Sequence, residues 1–121
     1  EQLELFRSTL VSAPPSAEQA KNVDFMLAAG ELFTLIAYAQ LILENVALYD
    51  VEDDLVNEIF DFMIRDFSER ALQMVLNQDV SEAQEALFMQ MVKKPHRDPA
   101  RFARLWEGRV YPLKDAYTMG A

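Results

Sequence analysis

From Leu32 to Leu43 the chain is apolar at every position except Thr34 and Gln40, and Glu31 and Glu44 bracket the run. That is far short of the roughly 20 apolar residues needed to cross a bilayer. The run therefore predicts no membrane span but a central helix buried on most of its surface. Its start is signalled by Ser16 with Gln19 three residues on, a capping box that places a helix start near Ala17. The helix is expected to run to about Tyr49, long against an average near a dozen residues. Gly30 within it is expected to allow close helix packing.

Upstream, Leu3, Phe6 and Leu10 fall at helical spacing before Pro14-Pro15 forces a turn. A helix this short is marginal alone. Residues 1–15 are accordingly expected to be a leading helix and Pro-rich turn, the tail of an upstream region, with the bundle domain over 16–121. The chain opens on Glu1 and not Met, so a processed product or an excised piece of a longer protein is an open expectation beside that of a complete gene product. Glu1, Gln2 and Glu4 do not make the basic start of a signal peptide.

Downstream, Asp50 is expected to cap a second helix, with Glu52, Asp53 and Asp54 at its positive end. Val56, Phe60, Met63, Phe67 and Met74 form its buried stripe. Asp61–Arg65 and Asp66–Arg70 stand as acid-before-base pairs on its surface, and the helix should end near Asn77. Ser81 with Gln84 opens a third helix, with Ala83, Leu87, Phe88 and Met91 inward and Lys93-Lys94 at its negative end before Pro95. Asp98-Pro99 opens a fourth with Phe102, Leu105, Trp106 and Val110 as its stripe. Pro112 ends or kinks it, and Tyr111 to Met119 make a short final segment. No segment alternates with the period of a strand. The expected fold is all-α, an up-down bundle of about four helices with a short leading helix.

Composition narrows the function. Twenty acidic against eleven basic residues give a net charge of −9, which argues against nucleic acid and against an anionic membrane surface as partners. With no cysteine there is no disulfide, thiolate nucleophile or thiolate metal site, as suits a cytoplasmic protein. His96 is the only histidine and lies in a loop, so no Ser/His/Asp or Cys/His set can be assembled. The Glu-x-x-His motif of two-metal bundles does not occur. Glu31 and Glu44, which interrupt an apolar helix, are the only buried-carboxylate candidates, with the bundle rim as their commoner place. Gly30, Gly108 and Gly120 stand singly, so no phosphate loop is present. The expected catalytic, cofactor-binding and metal-ligating residues in this chain are none.

The charge is unevenly spread. Lys93, Lys94, Arg97, Arg101, Arg104, Arg109 and Lys114 crowd a stretch holding only Asp98 and Glu107 as acids. Such a stretch either meets a phosphorylated or acidic partner or lies against the acidic face of the second helix and neutralises it. The second reading is preferred.

Leu41-Ile-Leu-Glu-Asn-Val-Ala-Leu-Tyr49 and Asp54-Leu-Val-Asn-Glu-Ile-Phe-Asp-Phe-Met-Ile-Arg-Asp-Phe67 resemble the C-terminal helical region of some bacterial acyl-CoA dehydrogenases. So do Lys94-Pro95, Ala100-Arg-Phe102 and Asp115-Ala-Tyr117. The likeness covers roughly residues 33 to 119 and lies in helix texture, without a signature motif. It implies a flavoenzyme in which a carboxylate takes the α-proton of an acyl-CoA while FAD accepts the β-hydride. Its subunits assemble through the helical C-terminal bundle. Glu107-Gly108 has the letters of the family's carboxylate before glycine but none of its setting, and no flavin-contacting Gly-rich segment is present. No catalytic residue carries over. The resemblance implies a module for assembly and packing, inactive by itself, with FAD and the chemistry in the rest of the parent protein. Its partners would be an upstream domain of the same protein, further copies through the long apolar helix, or both. The alternatives from other classes are a free-standing helical interaction module that dimerises through that helix, and a small carrier of apolar ligands.

Overall fold

The computed structural model describes residues 1–117, and within them the chain is an all-α bundle without strands. Its helices are α1 Gln2–Ser12, α2 Val23–Tyr49, α3 Asp53–Val75, α4 Glu82–Met91 and α5 Pro99–Leu105. A single 3-10 turn, Gln19–Lys21, precedes α2, and a π-helical turn over Trp106–Val110 and a 3-10 turn over Tyr111–Leu113 follow α5. Met119, where the final segment was expected to end, lies outside the described residues.

α2 and α3 form a long antiparallel hairpin, bridged across by Arg70 of α3 and Glu31 of α2 at 3.2 Å. The core sits at one end of it. Phe25 and Leu32 from the first half of α2 meet Phe67, Ala71 and Met74 from the second half of α3, with Phe88 and Met91 of α4. Phe6 of α1 completes the cluster, its ring edge-on to Phe67 at 6.1 Å between centroids. The leading helix thus shares one core with the rest of the chain, which offsets the marginal stability such a helix has alone.

Two capping boxes lock this end. Ser81 and Gln84 cap α4 reciprocally, as their spacing predicts. The Ser16–Gln19 box is also formed, with Ser16 N–H donating to Gln19 Oε1 at 2.8 Å and Gln19 N–H to Ser16 Oγ at 3.1 Å. It starts only the 3-10 turn, however. Asn22 then supplies a second N-cap, accepting from the Phe25 N–H at 3.0 Å, and α2 begins at Val23 instead of near Ala17. The buried side chains of Gln19 and Gln84 bond each other at 2.7 Å.

Four further expectations are corrected. Asp50 does not cap the second helix; it terminates α2 in the left-handed region at φ 49°, and Glu52 occupies the N-cap of α3. The pairs Asp61–Arg65 and Asp66–Arg70 do not form: Arg65 bonds its neighbour Asp66, Arg70 reaches Glu31, and Asp61 bonds Arg101. α2 is not buried on most of its surface, for only Phe25 and Leu32 are fully enclosed. Nor does Gly30 sit in a close packing contact, since a Cβ placed there would meet nothing within 4 Å.

Candidate functional site

Two surfaces stand out. One is the seam between α3 and α5, where the basic stretch lands. Asp98 accepts the Arg101 N–H at 3.0 Å and, with Pro99, fixes where α5 starts. α5 and the turns after it run antiparallel to the start of α3, so their arginines meet its acids in reverse order. Arg101 bonds Glu58 at 2.9 Å and also Asp61; Arg104 grips Asp54 with two bonds of 2.7 and 2.9 Å; Arg109 reaches Glu52 at 2.6 Å. Three of the seven basic side chains of the stretch, Arg101, Arg104 and Arg109, therefore pair with acids at the start of α3, the arrangement preferred from the sequence. Lys93 adds a 2.9 Å bridge to Glu1, tying the end of α4 to the chain start.

The electrostatics follow the geometry. The guanidinium of Arg104, by its hydrogen bonds first, holds Asp54 below the ordinary aspartate range. The backbone N–H of Arg101 does the same for Asp98, and the Lys93 ammonium for Glu1. Arg101 and Arg104 are held more firmly protonated by their carboxylates.

Beside this seam lies an open cleft of about 830 Å³, walled by Phe62, Phe102, Pro95 and Pro99 and edged by Arg65, Lys94, His96 and Arg97. His96 is exposed there, in the loop where the sequence places it. Arg101, which also lines the cleft, is committed to Glu58 and Asp61. No hydroxyl or thiol nucleophile lines the cleft. Among the described residues no group of three or more His, Asp or Glu side chains is placed to hold a metal. Glu31 and Glu44 are both exposed, the first bonded to Arg70 and the second accepting from Gln40 at 2.8 Å. Glu107 and Gly108 lie exposed in the π-helical turn.

The second surface is the outward side of α2. Val23, Leu27, Phe33, Tyr38, Leu41 and Leu48 are each more than half exposed. The most apolar 18-residue stretch of α2 has a mean hydropathy of 1.7, yet only 6% of it is buried. α2 is 27 residues long, which is enough by length and composition to cross a membrane. Its uncharged run, though, is the twelve residues from Leu32 to Leu43, or about 18 Å of helix against a hydrocarbon core of about 30 Å. A smaller apolar strip lies on α5 and the turn after it, where Phe102 stacks on Trp106 at 6.3 Å between centroids. Of the stripe expected for this helix only Leu105 is buried; Phe102, Trp106 and Val110 face solvent.

Periodicity did not disclose the buried polar positions. Ser68 Oγ accepts from the Lys93 N–H at 2.9 Å and from the Gln2 amide at 3.0 Å, joining α1, α3 and the end of α4. Gln19 and Gln84 were legible as caps but not as buried cross-links. Among the described residues no buried side-chain polar atom lacks a partner.

No family model matches the sequence, and no curated protein or solved structure is similar to it.

Proposed function

We propose that this chain is a helical assembly module whose working surface is the outward face of α2. The observation that carries the reading is the exposure of that face: large apolar side chains line a helix whose opposite side already packs the core. Large exposed apolar patches rimmed by polar residues mark interaction surfaces. The acids and bases of the α3–α5 seam are occupied with one another and supply no nucleophile or base to a substrate.

The narrower form of the proposal follows the sequence resemblance. The chain would be the C-terminal helical domain of an acyl-CoA dehydrogenase-like FAD enzyme, inactive alone, with flavin and catalytic carboxylate in the rest of the parent. The competing form is a free-standing interaction module. Intact mass and visible absorption of the native gene product, captured through this domain, separate the two. A protein much heavier than 13.9 kDa with flavin bands is the expected result for the dehydrogenase form. A colourless product close to that mass removes it and leaves the interaction module.

A further inference from the structure

We infer that the outward face of α2 pairs antiparallel with α2 of a second copy of this chain, centred near Thr34. The inference rests on the assembly reading and names its partner. Val23, Leu27, Gly30, Thr34, Ala37, Leu41, Glu44 and Leu48 follow one another at alternating intervals of four and three. Every one of them is exposed. Alternation of four and three is the spacing of residues on one helix face, and on this face Val23, Leu27, Leu41 and Leu48 are large and apolar, with the small Gly30, Thr34 and Ala37 between them. The core-facing positions Phe25, Leu32 and Ile36 lie on the other side of the helix, so this second seam is free in the monomer.

Area is consistent with a second copy. Val23, Met26, Leu27, Phe33, Tyr38 and Leu41, which fall within the overlap of the two helices, are between 46% and 68% exposed. At about 150–200 Å² per large side chain this leaves roughly 600 Å², the lower end of what one partner contributes to a stable interface. The profile along the seam is self-matching. Pairing about Thr34 brings Leu27 of one copy level with Leu41 of the other, twice. It also brings Tyr38 level with Gly30, where nothing lies within 4 Å, so a bulky ring meets a gap. A glycine in mid-helix costs the isolated chain stability, and nothing within the monomer uses the space it leaves.

The helix dipoles set the direction: the antiparallel pair opposes them and parts Glu31 from Glu31, and the like-charged Glu44 and Asp24 that it brings level lie toward the two ends of the seam. A bilayer is the less fitting occupant, because Glu31 and Glu44 bracket a run shorter than the hydrocarbon core.

Sedimentation equilibrium of the full chain tests the pairing. A dimer is expected, tightening as salt rises from about 0.05 to about 0.5 M, because two copies of net charge −9 repel until screened. Leu41→Arg is expected to weaken it by about 100-fold or more, through burial of an unpaired charge. Val11→Arg, at a still more exposed apolar site on α1, should leave it intact. Gly30→Leu gives an opposed pair of effects: melting of the dilute monomer rises by several degrees while the dimer loosens. These substitutions lie outside the core, so the variants fold.

A dimer indifferent to Leu41→Arg and Gly30→Leu overturns both the pairing and the assembly role of this face. A chain that stays at 13.9 kDa at every concentration overturns the pairing alone. Hydrogen exchange of α2 in the native gene product then decides the assembly reading: slow exchange at Leu41 keeps it with another domain as occupant, and fast exchange removes it. Monomer that cosediments with neutral phosphatidylcholine vesicles, and fails to after Leu41→Arg, overturns the pairing in favour of a bilayer.

Discussion

The carboxamide of Gln84 accepts from the Ser81 N–H at 3.0 Å and from Gln19 Nε2 at 2.7 Å, and donates to the Ala13 carbonyl at 3.1 Å. One buried side chain thereby holds the turn before α4, the Pro14-Pro15 turn and the turn before α2. Replacing it by Leu keeps the volume but strands buried donors and acceptors on the other partners. Each unsatisfied group costs about 1–3 kcal/mol. Gln84→Leu is therefore expected to lower the unfolding free energy by about 2 kcal/mol or more, read as a lower urea midpoint with an unchanged slope. Ser81 and Gln84 announced themselves as a cap because the motif is local. That Gln19 would meet Gln84 was not legible, since no periodicity encodes which cap touches which.

At the scale of elements, α5 is held chiefly by charge. Leu105 is its one buried side chain, while its arginines grip Glu58, Asp61 and Asp54. Asp54 and Asp98 are held below the ordinary range, so the folded state binds their protons less readily than the unfolded chain does. Their contribution is therefore present above about pH 4, the ordinary aspartate value, and is lost as pH falls through the depressed values. The arginines stay charged throughout and add nothing to that window. Acid is expected to release α5 while the apolar cluster of α1 to α4, which contains no ionisable side chain, persists. Emission of Trp106, the only tryptophan, should change before far-UV dichroism does between pH 5 and 2. Asp98→Asn keeps a cap-forming side chain but not the charge, so it should weaken that pH dependence while leaving helix content unchanged at pH 7. The alternation of acidic α3 with a basic segment made this seam legible as a choice between two readings. The antiparallel order of the pairs is set only by the tertiary fold, because Asp54, Glu58 and Asp61 are equally available in the sequence.

The whole molecule is built unevenly, and α2 shows why the sequence could not say so. A helix apolar on all sides carries no phase: every direction around it reads as core. The phase is set by α3, whose narrower stripe through Phe67, Ala71 and Met74 decides which edge of α2 turns inward. The chain then provides buried neighbours only for the first half of α2. From Ala37 to Tyr49 no residue is fully enclosed, and the acids that begin α3 face α5 instead of α2. Local opening free energies follow buried contact density. Amide exchange of the monomer is therefore expected to be slowest around Phe25 to Leu35 and around Phe67 to Met74. It should be faster by at least about 100-fold from Leu43 to Tyr49, a difference of about 3 kcal/mol in opening free energy. Mass-spectrometric exchange on peptides from the two halves of α2 reads this directly. Equal protection of both halves in a demonstrably monomeric sample would mean that the helix opens as one unit, so that the hairpin and not the core end sets its stability. Unequal protection that evens out as concentration rises would show the exposed half gaining from association what the chain alone does not give it.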